Sequence, residues 1–264
     1  MNTYIRPRVG RLLNEARFVS APRDSEDVLR QGLFMLVCYA AYDVSRALVQ
    51  GREAVAYANG LFFMNLEKAL GIYVEPWVQA RISSVEPVMA FLVWSYQYLH
   101  LPVIIATLIF AFSQRRSSWP LIRNWFLAMN FTAVIVFALL PTMPPRMLFT
   151  SGIADINYLF GVRSEILENG VLANPYAAMP SLHFGYALFV AVTVFMLSRR
   201  RWLRTAGLAY PVIVLVGIIA TGNHFVLDAA GGALVAIAAY VFAVNLQPSE
   251  APETKALTVR ERQG

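Results

Sequence analysis

Long uninterrupted apolar runs are the feature that most constrains this sequence. Six of them reach or approach the ~20 residues that a helix needs to cross the ~30 Å hydrocarbon layer of a bilayer. Hydrophobic residues make up 58% of the chain and charged residues 14%, against about 45–50% and about 25% in a soluble domain. The sequence therefore predicts an all-α polytopic membrane protein with six transmembrane helices in a bundle. The runs are residues 32–49, 87–112, 121–140, 180–197, 205–222 and 225–245.

Lys and Arg are unevenly distributed between these runs. Sixteen of the 22 lie in the alternate segments that include both ends of the chain, five lie in the other segments, and Arg46 lies inside the first run. Cytoplasmic segments carry the excess of Lys and Arg in membrane proteins. We therefore expect a multi-pass protein of the cell membrane with both termini in the cytoplasm. Topology also explains the net charge of +6 without a nucleic-acid partner.

The same pattern predicts three parts. A basic cytoplasmic segment covers residues 1–31, a six-span membrane domain covers 32–245, and a polar cytoplasmic tail, expected to be disordered, covers 246–264. A stretch near 53–70, in an extracytoplasmic segment, is predicted to form a helix on the membrane surface. Cys38 is the only cysteine, so an intrachain disulfide is excluded.

Two of the three histidines lie where apolar runs begin. His183 ends the sequence Pro-Ser-Leu-His at the start of the fourth run, and His224 follows Gly-Asn where the fifth run turns into the sixth. Asp228 comes four residues after His224, and Arg146 follows two prolines after the third run. The charge distribution places all of these residues at the extracytoplasmic face.

This combination favours phosphate chemistry. A helix start offers free N–H groups and a partial positive charge, so it is an anion site; the fourth run begins beside His183, and the sixth can begin beside His224. Arg146 could bind phosphate oxygens in bidentate fashion. Asp228 shares a helical face with His224, and a carboxylate on one imidazole nitrogen leaves the other free to attack. A second histidine could protonate the leaving oxygen, and no metal is required.

Each residue also has a purely structural interpretation. His224 could be a packing residue, Asn223 a helix cap, Ser181 a helix-start residue and Arg146 a charge that snorkels at a helix end. Their convergence at one face favours a functional site over four separate structural roles.

The motifs resemble the signatures of the type 2 phosphatidic acid phosphatase superfamily over about residues 32–245. Pro-Ser-Leu-His183 resembles the second signature, His224-x-x-x-Asp228 the third, and Pro-Pro-Arg146 stands in the place of the first. Leu139 stands where that family usually has a Lys, and Gly217-Ile218 where it usually has Ser-Arg. Together with Met-Pro-Ser-Leu-His, Gly-Asn-His and the segment 66–75, these departures resemble the branch that contains inositol phosphorylceramide synthase.

The resemblance implies roles for individual residues. His224 would be the nucleophile that forms a phosphohistidine, Asp228 would orient it, and His183 would protonate the leaving group. Arg46 is a candidate replacement for the missing cations, although it could instead pair with Asp43. The residues expected to hold phosphate are Arg146, Ser181, Leu182, Asn223 and Arg46.

His100 is predicted to have a different role. It lies ~20 Å along the second run from its outer end, at ~1.5 Å per residue, which places it too deep for a surface site. The sequence favours a structural hydrogen bond between His100 and another helix.

The resulting prediction is an enzyme that moves the phosphoryl group of a membrane lipid phosphate to water or to a hydroxyl acceptor, without metal or cofactor. A transporter or a non-catalytic lipid-binding protein is the alternative, in which Asp43, Arg46 and His100 would mark a pathway. A zinc hydrolase is disfavoured because the histidines do not form the His-x-x-x-His pattern. The lipid, the acceptor and the oligomeric state stay open.

Overall fold

The computed structural model describes residues 25–48, 52–114, 117–161 and 174–247, with the side chains of 25, 39 and 41–48 excepted. This part of the chain is helical and holds one isolated β-bridge, between Thr142 and Ala177. A π-helical turn covers Ser95–Leu99, and a 3-10 turn covers Pro145–Met147. The helices are α1 Ser25–Leu48, α2 Glu53–Leu70, α3 Glu75–Ser83, α4 Glu86–Trp94, α5 His100–Gln114, α6 Trp119–Leu139, α7 Ile156–Leu159, α8 Leu182–Leu197, α9 Arg201–Ala220 and α10 Val226–Asn245.

Four helical segments are long and apolar enough to cross a membrane: Glu86–Gln114, Trp119–Leu139, Arg201–Ala220 and Val226–Asn245. Two of the six predicted spans do not meet this criterion within the described chain. The helix α8 is apolar but has 16 residues, which is about 24 Å at ~1.5 Å per residue. The reason for its shortness is that Pro180 and Ser181 belong to the preceding loop. The helix α1 is not among the four.

The short helix α8 lies at the centre of the bundle. It contacts α5, α6, α9 and α10, and its apolar side chains are distributed around its whole circumference, as expected for a buried helix. Phe189 is fully buried and packs edge-to-face on Trp125 of α6, with 4.8 Å between ring centroids. The indole of Trp125 also donates a 2.8 Å hydrogen bond to Ala236 O in α10. These contacts tie α6, α8 and α10 into one core.

The helix predicted near 53–70 is present as α2. Its residues Ala56, Phe63 and Met64 are buried against Met143 and Phe225, among others. The helix α2 therefore packs on the loops that carry the predicted site residues.

A glycine in α10 allows the start of α8 to approach closely. A methyl group at Gly232 would collide with the carbonyl oxygen of Ser181. The packing of α10 against the Pro-Ser-Leu-His segment therefore requires a residue without a side chain at this position.

We expect Gly232→Ala to destabilise the protein by about 1–3 kcal/mol, the usual cost of overpacking. Gly32→Ala is the matched control, because Gly32 is also helical but a methyl group there would have no neighbour within 4 Å. Both substitutions gain the same helix propensity, so the difference between them isolates the collision. Thermal unfolding in detergent measures it, and equal melting temperatures would contradict the proposed contact.

Candidate active site

A cavity of about 300 Å³ lies between α5, α6, the start of α8 and the loops that follow α6 and α9. His100, His183 and His224, the three histidines of the chain, all line it, as does Arg146. The helices thus bring the predicted reacting residues together, although they are far apart in sequence.

His224 is held by a backbone carbonyl and supported by a carboxylate. Its Nδ1 lies 2.9 Å from Ala178 O, so Nδ1–H donates there, and Nε2 is the nitrogen with a free lone pair. Nδ1 lies 3.5 Å from Asp228 Oδ2, an electrostatic distance beyond a good hydrogen bond. The expected support by Asp228 is present, but Ala178 O makes the shorter contact. No spacing rule predicts this carbonyl, which lies 46 residues away.

His183 is the second residue of α8 and faces His224 across the cavity. Their ring centroids are 5.8 Å apart. The His183 ring stacks on Tyr96, with 4.3 Å between centroids, and lies 4.7 Å from the His100 ring. Stacking limits the rotation of the His183 imidazole and presents it to the same space as His224.

Arg146 is anchored to the turn that precedes His224. Its backbone N–H donates to Gly222 O at 3.0 Å, and its Nε lies 3.4 Å from Asp155 Oδ2. Gly222 has φ +71°, and a Cβ there would lie 2.6 Å from Ile153 Cγ2, so this close turn requires glycine. Arg146 is the only Lys or Arg that lines the cavity within the described residues. It therefore lies in a cavity wall and not at a helix end.

The other four predicted phosphate ligands differ in their position relative to the cavity. Leu182 and Asn223 line the cavity. Ser181 is fully buried behind it and caps α8, because its Oγ accepts from Phe184 N at 3.4 Å. Asn223 donates to Thr221 Oγ1 at 2.6 Å; it does not cap α10, since that cap is Phe225. Arg46 lies in α1 with its side chain outside the described part of the structure.

The start of α10 is already occupied by protein carboxylates. Phe225 N donates to Asp228 Oδ2 at 2.9 Å, Val226 N to Glu75 Oε1 at 2.9 Å, and Leu227 N to Glu67 Oε1 at 2.7 Å. The expectation that these N–H groups bind a phosphate is therefore wrong: three consecutive donors are satisfied within the chain.

Glu67 and Glu75 form a buried carboxyl pair. Both are fully buried, and burial, followed by the hydrogen bond to Glu75, raises the pKa of Glu67 to about 9. Two adjacent buried carboxyls cannot both ionise, so the pair holds one proton at neutral pH. These are the two glutamates of the segment 66–75, to which sequence analysis assigned no chemical role. The sequence signal that could have indicated this pair is the presence of two acidic residues in a segment that is otherwise mostly apolar.

Two further polar contacts have no sequence signal. Asp155 holds the guanidinium of Arg146, and Gln79 Nε2 donates to both Ala154 O and Ala220 O at 3.0 Å. Gln79 thereby joins α3 and the end of α9 to the loop that carries Asp155.

His100 confirms one prediction and corrects another. Its Nδ1 lies 2.7 Å from Tyr210 OH in α9, the expected hydrogen bond with another helix. The inference that His100 lies too deep for the site is wrong, because it lines the same cavity as His183. The continuous segment Glu86–Gln114 has 29 residues, about 43 Å at ~1.5 Å per residue. Its first part, α4, packs on α3, so the depth of His100 is overestimated when it is counted from the start of the segment.

Apolar helices of spanning length around a histidine-lined cavity define a membrane-embedded protein with an internal polar site. A comparison with protein-family models then identifies the family: the model described as PAP2 superfamily matches residues 61–242. The chain belongs to this superfamily, whose members are phosphatases and phosphotransferases. No curated protein and no solved structure matches the chain.

We expect Glu67→Gln to preserve the fold, because the amide keeps an acceptor for Leu227 N and a donor for Glu75. Glu67→Ala is expected to cost about 1–3 kcal/mol, since it leaves a buried N–H unpaired. Thermal unfolding in detergent compares the two variants. Equal destabilisation by Gln and by Ala would contradict the shared proton.

The pH dependence of the same variant tests the raised pKa. Folded Glu67 keeps a proton that the unfolded chain releases above its ordinary pKa of 4.5, so this group's stability contribution declines as pH rises through the window up to about 9. The Gln side chain of Glu67→Gln does not titrate, so this variant lacks the decline. Its melting temperature relative to wild type should therefore rise between about pH 6 and about pH 9, and a constant difference would refute the shift.

Proposed function

We propose that the protein is an integral membrane enzyme that transfers the phosphoryl group of a lipid phosphate through a phosphohistidine at His224 Nε2. The observation that carries this proposal is the contact between His224 Nδ1 and a backbone carbonyl oxygen, from which the tautomer of His224 follows. The hydrogen bond from Nδ1 to Ala178 O leaves the Nε2 lone pair available, in a cavity that His183 and Arg146 also line.

The first half-reaction forms the P–N bond. The Nε2 lone pair of His224 attacks phosphorus, the P–O bond to the lipid alcohol breaks, and its electron pair stays on that oxygen. His183 donates a proton to this oxygen, and the neutral alcohol leaves. The phosphorylated imidazole carries a positive charge, which the carboxylate of Asp228, 3.5 Å from Nδ1, stabilises.

The second half-reaction regenerates the enzyme. The oxygen of water or of an alcohol attacks phosphorus, its proton passes to His183, and the electron pair of the P–N bond returns to Nε2. Water as acceptor makes the protein a phosphatase, and a hydroxyl makes it a phosphotransferase. The resemblance to the inositol phosphorylceramide synthase branch favours transfer.

The phosphate oxygens are assigned mainly to Arg146. Asp155 holds the guanidinium at Nε, which leaves the two terminal nitrogens for bidentate binding. Leu182 and Asn223 line the same cavity and are proposed as its further phosphate contacts. Ser181 is proposed to support them from behind as the cap of α8. A phosphate contact by Arg46 remains a prediction.

The topology of the proposed enzyme has six spans, with α1 and α8 added to the four that satisfy length and hydropathy. The distribution of Lys and Arg supports cytoplasmic termini, residues 1–31 and 246–264, around the membrane domain 32–245. The cavity then opens extracytoplasmically in the cell membrane.

Substitution of the two histidines is expected to separate their roles. His224→Ala should abolish turnover of lipid and aryl phosphates alike. His183→Ala should lower turnover of a lipid phosphate by ~10²–10⁴ and that of an aryl phosphate much less, because a phenolate leaves without protonation. Phosphate release measures the turnover of both substrates by each variant. Unchanged turnover in His224→Ala would eliminate the proposed nucleophile.

The acceptor is identified by product analysis. Purified protein is incubated with a panel of radiolabelled lipid phosphates, with and without an added polyol. A phosphotransferase gives a phosphorylated polyol and a phosphatase gives inorganic phosphate in both arms. An acid-labile, base-stable label on wild type that is missing from His224→Ala is expected in either case.

A further inference from the structure

His100 carries a buried nitrogen without a partner. Its side chain is 7% exposed, Nδ1 is occupied by Tyr210 OH, and Nε2 has no hydrogen-bond partner among the described residues. Buried polar atoms are nearly always hydrogen-bonded, and leaving one unpaired destabilises the fold. An unpaired nitrogen on a residue that lines a cavity therefore points to a ligand atom.

The position of His100 in the cavity indicates which part of the substrate carries that ligand atom. Arg146 and His224 line the cavity, where the proposed phosphate binds, and His100 lies next to His183, with 4.7 Å between the two rings. Leu101 and Ile104, which line the cavity beside His100, are apolar. The alcohol part of the substrate, whose oxygen His183 is proposed to protonate, would then lie beside His100.

The hydrogen-bonding chemistry of His100 Nε2 restricts the type of ligand atom that can contact it. Tyr210 OH can donate to Nδ1 or accept from it, so Nε2 is available as a donor or as an acceptor. Among the described residues that line the cavity, Arg146 is the one Lys, Arg, Asp or Glu; it is assigned to the phosphate, so a second charged ligand atom beside His100 would be uncompensated. A neutral oxygen, as in a hydroxyl, ester or amide, satisfies Nε2.

We infer that His100 selects lipid phosphates whose alcohol bears a second neutral oxygen close to the phosphorylated one. Glycerol-type and amide-bearing long-chain alcohols have such an oxygen, and simple alkyl or prenyl alcohols do not. This inference rests on the proposed function and extends it to the substrate. A site that hydrogen-bonds a substrate group discriminates against analogues that lack it, because its own polar atom then stays unpaired.

The test compares two phosphates of similar chain length, a diacylglycerol phosphate and hexadecyl phosphate, in mixed detergent micelles. Wild type is expected to prefer the diacylglycerol phosphate by about tenfold or more in kcat/KM, the effect of one neutral hydrogen bond. In His100→Leu the ratio should fall to near one, through loss of activity on the diacylglycerol phosphate alone.

Two further variants make the result decisive. His100→Gln retains a polar side chain at this position and should keep part of the preference, even if His100→Leu does not fold. Tyr98→Phe is the matched control, because Tyr98 lies on the π-helical turn just before His100 but is 54% exposed and does not line the cavity. It should leave the ratio unchanged.

The outcomes separate this inference from the proposed function. A preference that survives in both His100 variants would overturn the inference and leave the phosphohistidine mechanism intact. An equal loss on the two phosphates would assign His100 a structural role and would also overturn it. Absence of turnover of either phosphate by wild type would overturn the proposed function, and this inference with it.

Discussion

The hydrogen bonds at the start of α10 are the constraint on which the site depends. A helix that begins in apolar surroundings exposes N–H groups that must find acceptors, and here three consecutive groups find them in Asp228, Glu75 and Glu67. The next residue towards the N-terminus is His224. The position of the proposed nucleophile is therefore coupled to α2 and α3, which supply two of the three carboxyls from about 150 residues away.

The charges around His224 are distributed asymmetrically. The carboxylates lie on the Nδ1 and backbone side, where Asp228 approaches Nδ1 to 3.5 Å, while Arg146 lines the cavity. A negative group behind the imidazole supports a positive charge on it, and a positive group in the cavity attracts an anion such as the proposed phosphate. The proton that we expect Glu67 and Glu75 to share limits the negative charge that would otherwise repel such an anion.

Local sequence patterns predicted the parts of this structure that depend on near neighbours. Long apolar runs located the four helices with spanning length. The spacing of His224 and Asp228 correctly predicted that the two side chains lie close, at 3.5 Å, although His224 precedes α10 and the two do not share a helical face. The contacts that complete the site join segments far apart in sequence: Ala178 with His224, Glu75 with Val226, and His100 with Tyr210. No periodicity encodes such pairs, because they follow from how the helices pack. For the same reason the sequence predicts a free anion site at the start of α10, whereas carboxyl groups of α2 and α3 occupy its N–H groups.

The short helix α8 explains how polar side chains come to line a cavity inside an apolar bundle. Because α8 begins only at Leu182 and is surrounded by longer helices, the imidazole of His183 lies inside the bundle and not at its edge. The segment Glu86–Gln114 continues past this level, so its residues Tyr96 and His100 contact His183 from a position well inside their own helix. The proposed lipid phosphate would place its phosphate near Arg146 and its alcohol beside His183 and His100. In the proposed reaction the alcohol would therefore stay within the helix bundle, next to apolar residues such as Leu101 and Ile104, while the phosphoryl group is transferred.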